Sequence, residues 1–251
     1  MTVADDTDSK KGGFGETVRV IIHALLIAVV IRTFLFQPFN IPSGSMKATL
    51  LVGDYLFVSK YSYGYSRFSF PFSPPLFAGR LWAAEPKRGD IAVFRLPREP
   101  EVDYIKRVVG LPGDRLQMIS GVLHINGQPV PKVRIDDFVE TGLSGREERT
   151  RRFRETLPNG VTHTTLDIFE NGSYDTTPVY EVPPGHIFMM GDNRDNSTDS
   201  RVTEQVGPIP LDHFVGRAEF IFFSIEEGAR AWQVWLWPWT IRWSRLFSVV
   251  R

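Results

Sequence analysis

Chemistry in this 251-residue chain must come from oxygen and nitrogen side chains, because it contains no cysteine. That removes thiolate nucleophiles, Cys-ligated metals and disulfide frameworks. Two stretches concentrate the candidate groups. The first, Ile41-Pro-Ser-Gly-Ser-Met-Lys-Ala-Thr49, puts the hydroxyls of Ser43 and Ser45 on a loop shaped by Pro and Gly. Taken alone it is a turn. The second, Gly191-Asp-Asn-Arg-Asp-Asn-Ser-Thr-Asp-Ser-Arg201, packs three carboxylates, two Arg, two Asn and two Ser into eleven residues. It fails as a calcium loop, since Arg194 takes the third ligand position and Ser197 stands where an EF-hand needs Gly. The plainer reading is a rigid loop tied by Asp–Arg pairs and Asx turns.

A hydroxyl nucleophile needs a base. The five histidines, His23, His124, His163, His186 and His213, share no motif, and only His186 lies near the acidic loop. A Ser-His-Asp reading through His186 has no G-x-S-x-G elbow to support it, and Ser43 to Lys47 is one residue too long for S-x-x-K. A lysine base remains. Asp103-Tyr-Ile-Lys106-Arg-Val-Val-Gly110 sets a lone Lys among apolar neighbours on a predicted strand. Burial disfavours the ammonium and lowers a Lys pKa from about 10.4, and a neutral Lys could deprotonate a serine. Lys47 is closer in sequence, but a polar loop leaves it a solvated ammonium.

Positioning these groups falls to an anchor and a β-rich body. Lys and Arg number 29 against 29 Asp and Glu, and the pI is near 7.0. A neutral chain has no sequence-independent attraction to phosphate backbones, so no nucleic-acid partner is expected. Val20 to Phe36 is apolar apart from His23, Arg32 and Thr33. At about 1.5 Å per residue its 17 residues reach a bilayer's core if Arg32 snorkels to an interface. No small-residue cleavage site follows, so we read an uncleaved anchor with a cytoplasmic N-terminus, favoured by Lys10, Lys11 and Arg19.

Pro38 and Pro42 then begin extended chain. Asp90–Arg95 alternates, residues 116–130 form a short meander with Ser120-Gly121 and Asn126-Gly127 turns, and Val215–Ser224 reads as a further strand. A mostly antiparallel β fold follows. From Lys132 to Pro184 the texture changes, with a mixed-charge run, Gly145 to Glu155, read as a solvated face. The expected organisation is a cytoplasmic tail (1–17), a transmembrane helix (18–36), a catalytic β body (37–131 and 185–251) and an inserted β subdomain (132–184). Five of the six Trp fall between Trp232 and Trp243, which suits an interfacial contact with membrane lipids.

At these residues the chain resembles the bacterial type I signal peptidases, the leader peptidases of the inner membrane. The matching pieces are FNIPSGSMKATLLVGDYLFVSKYSYG from Phe39, RGDIAVFRLP from Arg88, DYIKRVVGLPGD from Asp103 and GDNRDNSTDSR from Gly191. One departure is Lys47-Ala48-Thr49, where the family usually carries x-Pro-Thr.

The resemblance implies a signal-peptidase-like and self-cleaving-repressor-like β fold, with Ser45 as acyl-forming nucleophile and Lys106 as its base. Ser43 and the Ser45 N–H would form the oxyanion hole. Ser197 would hydrogen-bond and orient Lys106, Asp199 and Arg201 would brace the loop, and Asp192 and Arg107 would support it. Phe39, Ile41, Leu56, Val93, Asp103 and Ile105 would line shallow pockets for the small side chains of an Ala-x-Ala site in signal-peptide-bearing preproteins. No metal or other cofactor is called for. The body would sit on the extracytoplasmic side of the inner membrane. A competing reading is a non-enzymatic membrane-anchored adaptor whose acidic loop binds a partner.

Overall fold

The computed structural model describes residues 14–141, 147–229 and 232–251. The tail at residues 1–13, including Lys10 and Lys11, and Gly145 and Arg146 of the charged run lie outside the described residues.

An apolar helix, α1 (Phe14–Phe34), opens the described chain. Its mean hydropathy is 2.0 over a window with no residue buried inside the protein, so it is long and apolar enough to cross a bilayer. It starts four residues before the expected 18–36 and ends two before it. Phe36 is already in the first strand, because Pro38 favours extended chain and Lys60 N–H donates to Leu35 O just past the helix.

The body is antiparallel. Its strands are β1 (Phe36–Asn40), β2 (Asp54–Ser59), β3 (Ile91–Arg95), β4 (Asp103–Gly110), β5 (Arg115–Ile119), β6 (Val122–Ile125) and β7 (Gln128–Pro129). There follow β8 (Lys132–Thr141), β9 (Glu147–Thr156), β10 (Thr162–Asp167), β11 (Tyr180–Glu181), β12 (His186–Met190), β13 (Ile209–Pro210) and β14 (Phe214–Ser224). Among the described residues the main sheet has seven strands in the order β1-β2-β14-β3-β4-β12-β13. The expected alternation of Asp90–Arg95 is not what β3 shows: Ile91 to Phe94 are all buried, because β3 lies between β14 and β4 with cover on both faces. The meander appears as β5, β6 and β7, its turns held by Ser120-Gly121 and Asn126-Gly127 with φ of 47°, 75°, 55° and 78°. Positive φ at both turn residues matches the twist of a two-residue hairpin.

Residues 132–167 build a separate three-stranded sheet in the order β10-β9-β8. The stretch expected as one insertion, 132–184, does not stay together: β11 pairs with β5, which returns Tyr180 and Glu181 to the meander's sheet. After β14 the chain makes short turns around α2 (Trp237–Thr240).

Ile41, Met46, Leu50, Leu56, Val58 and Val93 share one core, and Phe94, Val108, Ile187 and Phe214 belong to another. Each such side chain contributes about 1.5–3 kcal/mol on burial. These cores fix β4 and the ends of β1 and β12, the three places from which the candidate groups project.

Candidate active site

Just past β1, a single 3-10 turn at Gly44–Met46 carries Ser45, which is buried with Met46. Ile41 before the turn and Met46 and Leu50 at and beyond its end drop into the core and hold it down. In the first turn of such a helix the Ser45 N–H has no intrahelical acceptor and stays available. Lys106 lies on β4, paired with Ala92 of β3, while its neighbour Arg107 alternates to the other face. The strand aims the Lys106 side chain at the turn, with Nζ 2.7 Å from Ser45 Oγ and 3.0 Å from Ile105 O. Lys106 is 4% exposed. Burial pulls its pKa from 10.5 to about 8, against Asp199 and Asp192, whose charges act to raise it. Ser43 Oγ is 3.4 Å from Ser45 Oγ.

The acidic loop follows β12 directly and is tied down on every side. Arg107 grips Asp192 with two bonds of 2.8 and 2.7 Å and also donates to Gly89 O. Thr49 Oγ1 donates to Asp192 Oδ2 at 2.5 Å. Asp199 takes two bonds from Arg201, both 2.9 Å, and one from Gly191 N–H. Burial alone would raise both carboxyls; the adjacent Arg107 and Arg201 guanidinia override it and hold them below the usual carboxylate range. Asn193 closes the loop onto the turn, its N–H donating to Ser45 O and its Nδ2 to Gly44 O. Gly191 is obligatory at this junction. A Cβ there would lie 2.2 Å from Ser197 Oγ and 2.6 Å from Ser45 O.

Several expectations need correction. Ser197 does not bond Lys106: its hydroxyl donates to Asp199 Oδ2 at 2.7 Å, since a fixed carboxylate is a stronger acceptor than an amine beside it. The carbonyl of Ile105 holds Lys106 instead. Leu56 does not line the cleft; it is fully buried behind Ile41 and Val93 in the core. Lys47 is not a solvated ammonium, because Glu140 of β8 pairs with it at 2.7 Å and Glu227 lies at 3.6 Å. The Gly145–Glu155 run is not wholly a solvated face, since Glu155 is fully buried in a two-bond pair with Arg194, at 2.9 and 2.5 Å.

Ser45 and Lys106 open onto a cleft of about 660 Å³. Phe39, Ile41, Val93, Asp103 and Ile105 line it, as do Ser43 and Ser197. Asp103 is also held by Arg95. Among the described residues no histidine lines this cleft, and His186 sits elsewhere with Nδ1 3.0 Å from Pro184 O. The arrangement offers a serine hydroxyl, a buried amine to take its proton, and a hydroxyl with a backbone N–H beside it. That set suits acyl transfer.

Comparison with known proteins decides the family. The family model described as "Signal peptidase, peptidase S26" matches residues 14–223. Signal peptidase I of Rickettsia typhi is 46% identical over 209 residues, spanning 80% of this chain and 76% of that protein. Signal peptidase I of Rickettsia conorii is 42% identical over 231 residues, spanning 87% and 84%. The chain belongs to the S26 signal peptidase family. It is therefore a membrane-associated serine protease that removes signal peptides from preproteins. A solved signal peptidase I from Enterococcus faecalis is 24% identical, with a TM-score of 0.33 over 53% of this chain and 97% of that one.

Sequence reasoning missed Glu155, Thr49 and Tyr174. Thr49 had a signal, being three residues beyond the Ser-Met pair. Glu155 had none, hidden in a run of like-looking charges. Tyr174 comes from the loop after β10, stands over Arg201 at 5.3 Å and lines the cleft.

Proposed function

We propose that this family member cleaves through a Ser45–Lys106 dyad. The observation that carries the reading is the 2.7 Å approach of Lys106 Nζ to Ser45 Oγ inside a buried pocket where the lysine pKa falls to about 8. Neutral Lys106 accepts the Ser45 hydroxyl proton as Oγ bonds to the scissile carbonyl carbon. The carbonyl oxygen takes the negative charge, held by the Ser45 N–H and the Ser43 hydroxyl. The Lys106 ammonium then protonates the departing amine, leaving an acyl-enzyme on Ser45. Water, deprotonated by the same lysine, hydrolyses it.

Asp192, Asp199, Arg107, Arg201 and Ser197 act on the reaction by fixing the loop rather than by touching substrate. Ile41, Val93 and Ile105 give the cleft an apolar wall, which supports cleavage after the small apolar side chains of an Ala-x-Ala site. An extended substrate would lie along the chain after Phe39.

In this reading α1 spans the inner membrane once and holds the body on the extracytoplasmic side. The body comprises 37–131 and the chain from β11 onward, with the three-stranded sheet of residues 132–167 inserted. Trp232, Trp235, Trp239 and Trp243, each 60–74% exposed, would meet the lipid interface. The test is cleavage of a detergent-solubilised preprotein by wild type, Ser45→Ala and Lys106→Ala with EDTA present. Loss in both variants with folding intact is the expected result. Activity that survives in Lys106→Ala would overturn the dyad, and normal physiological function of Ser45→Ala would favour the adaptor.

A further inference from the structure

Residues 68–84, FSFPFSPPLFAGRLWAA, carry one charged side chain, Arg80. That side chain turns inward, donating to Leu211 O at 3.1 Å, Gly64 O at 2.6 Å and Phe214 O. The outer surface of the loop is therefore uncharged, and its most exposed side chains are apolar: Phe72 fully exposed, Trp82 at 82% and Leu76 at 67%. Phe72 and Trp82 hold φ of 62° and 49°, a region that side chains other than glycine seldom adopt. A disfavoured backbone thus presents two aromatic rings largely outward, Trp82 meeting the body only along one edge, at Tyr65.

The loop is not a loose excursion. Tyr65 and Leu81 exchange two backbone hydrogen bonds of 2.9 and 2.8 Å, and Arg80 clamps the segment to four carbonyls, those three and Tyr63 O at 3.4 Å. Pro71, Pro74 and Pro75 stiffen its outer part. Its place in the fold is equally definite. Phe70 and Tyr65 stack edge-on against Phe34 in the last turn of α1, at 6.1 and 5.7 Å, and Tyr65 Oη donates to Phe34 O at 2.8 Å. Trp82 in turn packs on Tyr65 at 5.9 Å.

We propose that the 68–84 loop is a second membrane-contacting element, seated in the interfacial layer of the bilayer at the end where α1 leaves it, and separate from the Trp-rich tail. This rests on the reading of α1 as a membrane span. Uncharged chain bearing Phe and Trp partitions to the lipid interface, where an apolar ring and its polar edge are both satisfied. Contact with Phe34 places that layer around the loop. Together with α1 and the Trp-rich tail, this contact fixes the height and tilt of the Ser45 cleft over the membrane and raises its effective concentration toward membrane-bound substrate.

Because the chain has no cysteine, single-site labelling tests this directly. Full-length protein in phosphatidylcholine–phosphatidylglycerol vesicles would carry an environment-sensitive fluorophore at Phe72→Cys or Leu76→Cys. Leu26→Cys in α1 and Val133→Cys on β8, which is 60% exposed, serve as references. Quenching of the loop probes by headgroup spin-labelled lipid, with protection from aqueous iodide, is the expected result. Loop probes that quench like Val133→Cys while Leu26→Cys stays protected would overturn the loop proposal. Iodide access at Leu26→Cys would instead overturn the span on which it rests. In parallel, the triple variant Phe72→Asp, Leu76→Asp, Trp82→Asp should raise KM for vesicle-embedded preprotein several-fold and leave turnover of a short soluble peptide unchanged; an unchanged KM for the embedded substrate would count against it.

Discussion

The pH dependence of cleavage gives the sharpest test of Lys106 as base. Free lysine at 10.5 is neutral in roughly one molecule in three thousand at pH 7, whereas a value near 8 leaves roughly one in ten neutral. Burial therefore raises the supply of reactive amine roughly 300-fold at that pH. On a short soluble peptide, kcat/KM should rise about tenfold per pH unit up to pH 7 and level off above a midpoint near 8. Arg201→Met provides the perturbation. Arg201 neutralises Asp199, and Asp199 acts to raise the lysine pKa. Removing the guanidinium strengthens that pull, so the limb should move to higher pH and activity at pH 7 should fall while the plateau rate is retained. Stopped-flow or fluorogenic-peptide rates from pH 5.5 to 10 measure both. A limb centred near 10.5 in wild type, or one near 8 that persists in Lys106→Ala, would refute the assignment.

Three further outcomes follow from the geometry. Lys106→Met should abolish cleavage yet raise stability: the folded lysine pKa lies below the unfolded value, so the unfolded state binds more protons between about pH 8 and 10.5, and at pH 7 the cost relieved is about 3 kcal/mol, readable by denaturant titration. Wild type should correspondingly gain stability as pH rises through that window. Arg107→Met should destabilise by about 3–5 kcal/mol, because it leaves Asp192 buried without its partner, and thermal unfolding checks it. Ser43→Ala should lower kcat by about 10²–10³ with KM little changed if that hydroxyl serves the oxyanion; an unaltered kcat removes it from that role.

Much of the site was legible because local residue types and strand periodicity act together. Lys106 among apolar neighbours on a strand is a one-dimensional signal for burial, and the structure has it 4% exposed on β4. The Asp–Arg ties read into the acidic loop also appear, as Asp199–Arg201 within it and Asp192–Arg107 across to β4. What escaped depends on partners distant in sequence. Glu155 looks like its neighbours in a charged run, and only the approach of Arg194 from 39 residues away makes it a buried member of the site. Ser197 was expected to face Lys106, yet hydroxyl direction is set by the competing acceptor, Asp199, two residues on. Leu56 has the right type for a pocket wall, but sequence cannot tell the layer touching solvent from the one behind it. Phe72 and Trp82 read as ordinary apolar residues until their exposure and positive φ are seen.

The ion pairs around Ser45 and Lys106 are better understood as electrostatic control than as sources of stability. Buried pairs such as Arg107–Asp192, Arg201–Asp199 and Arg194–Glu155 return little net free energy against the desolvation of their charges. Their consequence for the lysine is larger. Two carboxylates close enough to act on Lys106 would, unpaired, stabilise its ammonium and remove the base from service near neutral pH. Matching each with an arginine lets burial prevail, so the loop can be rigid and carboxylate-rich beside an amine that, in the proposed reaction, loses its proton. The same pairing explains why the loop is anchored to two other elements as well as to itself. Arg107 comes from β4, Glu155 from β9, and Arg201 from the loop itself. A displacement of any one of them would therefore alter both the position of Ser45 and the proton affinity of Lys106, and a defect confined to one of the two would require a different account of the site.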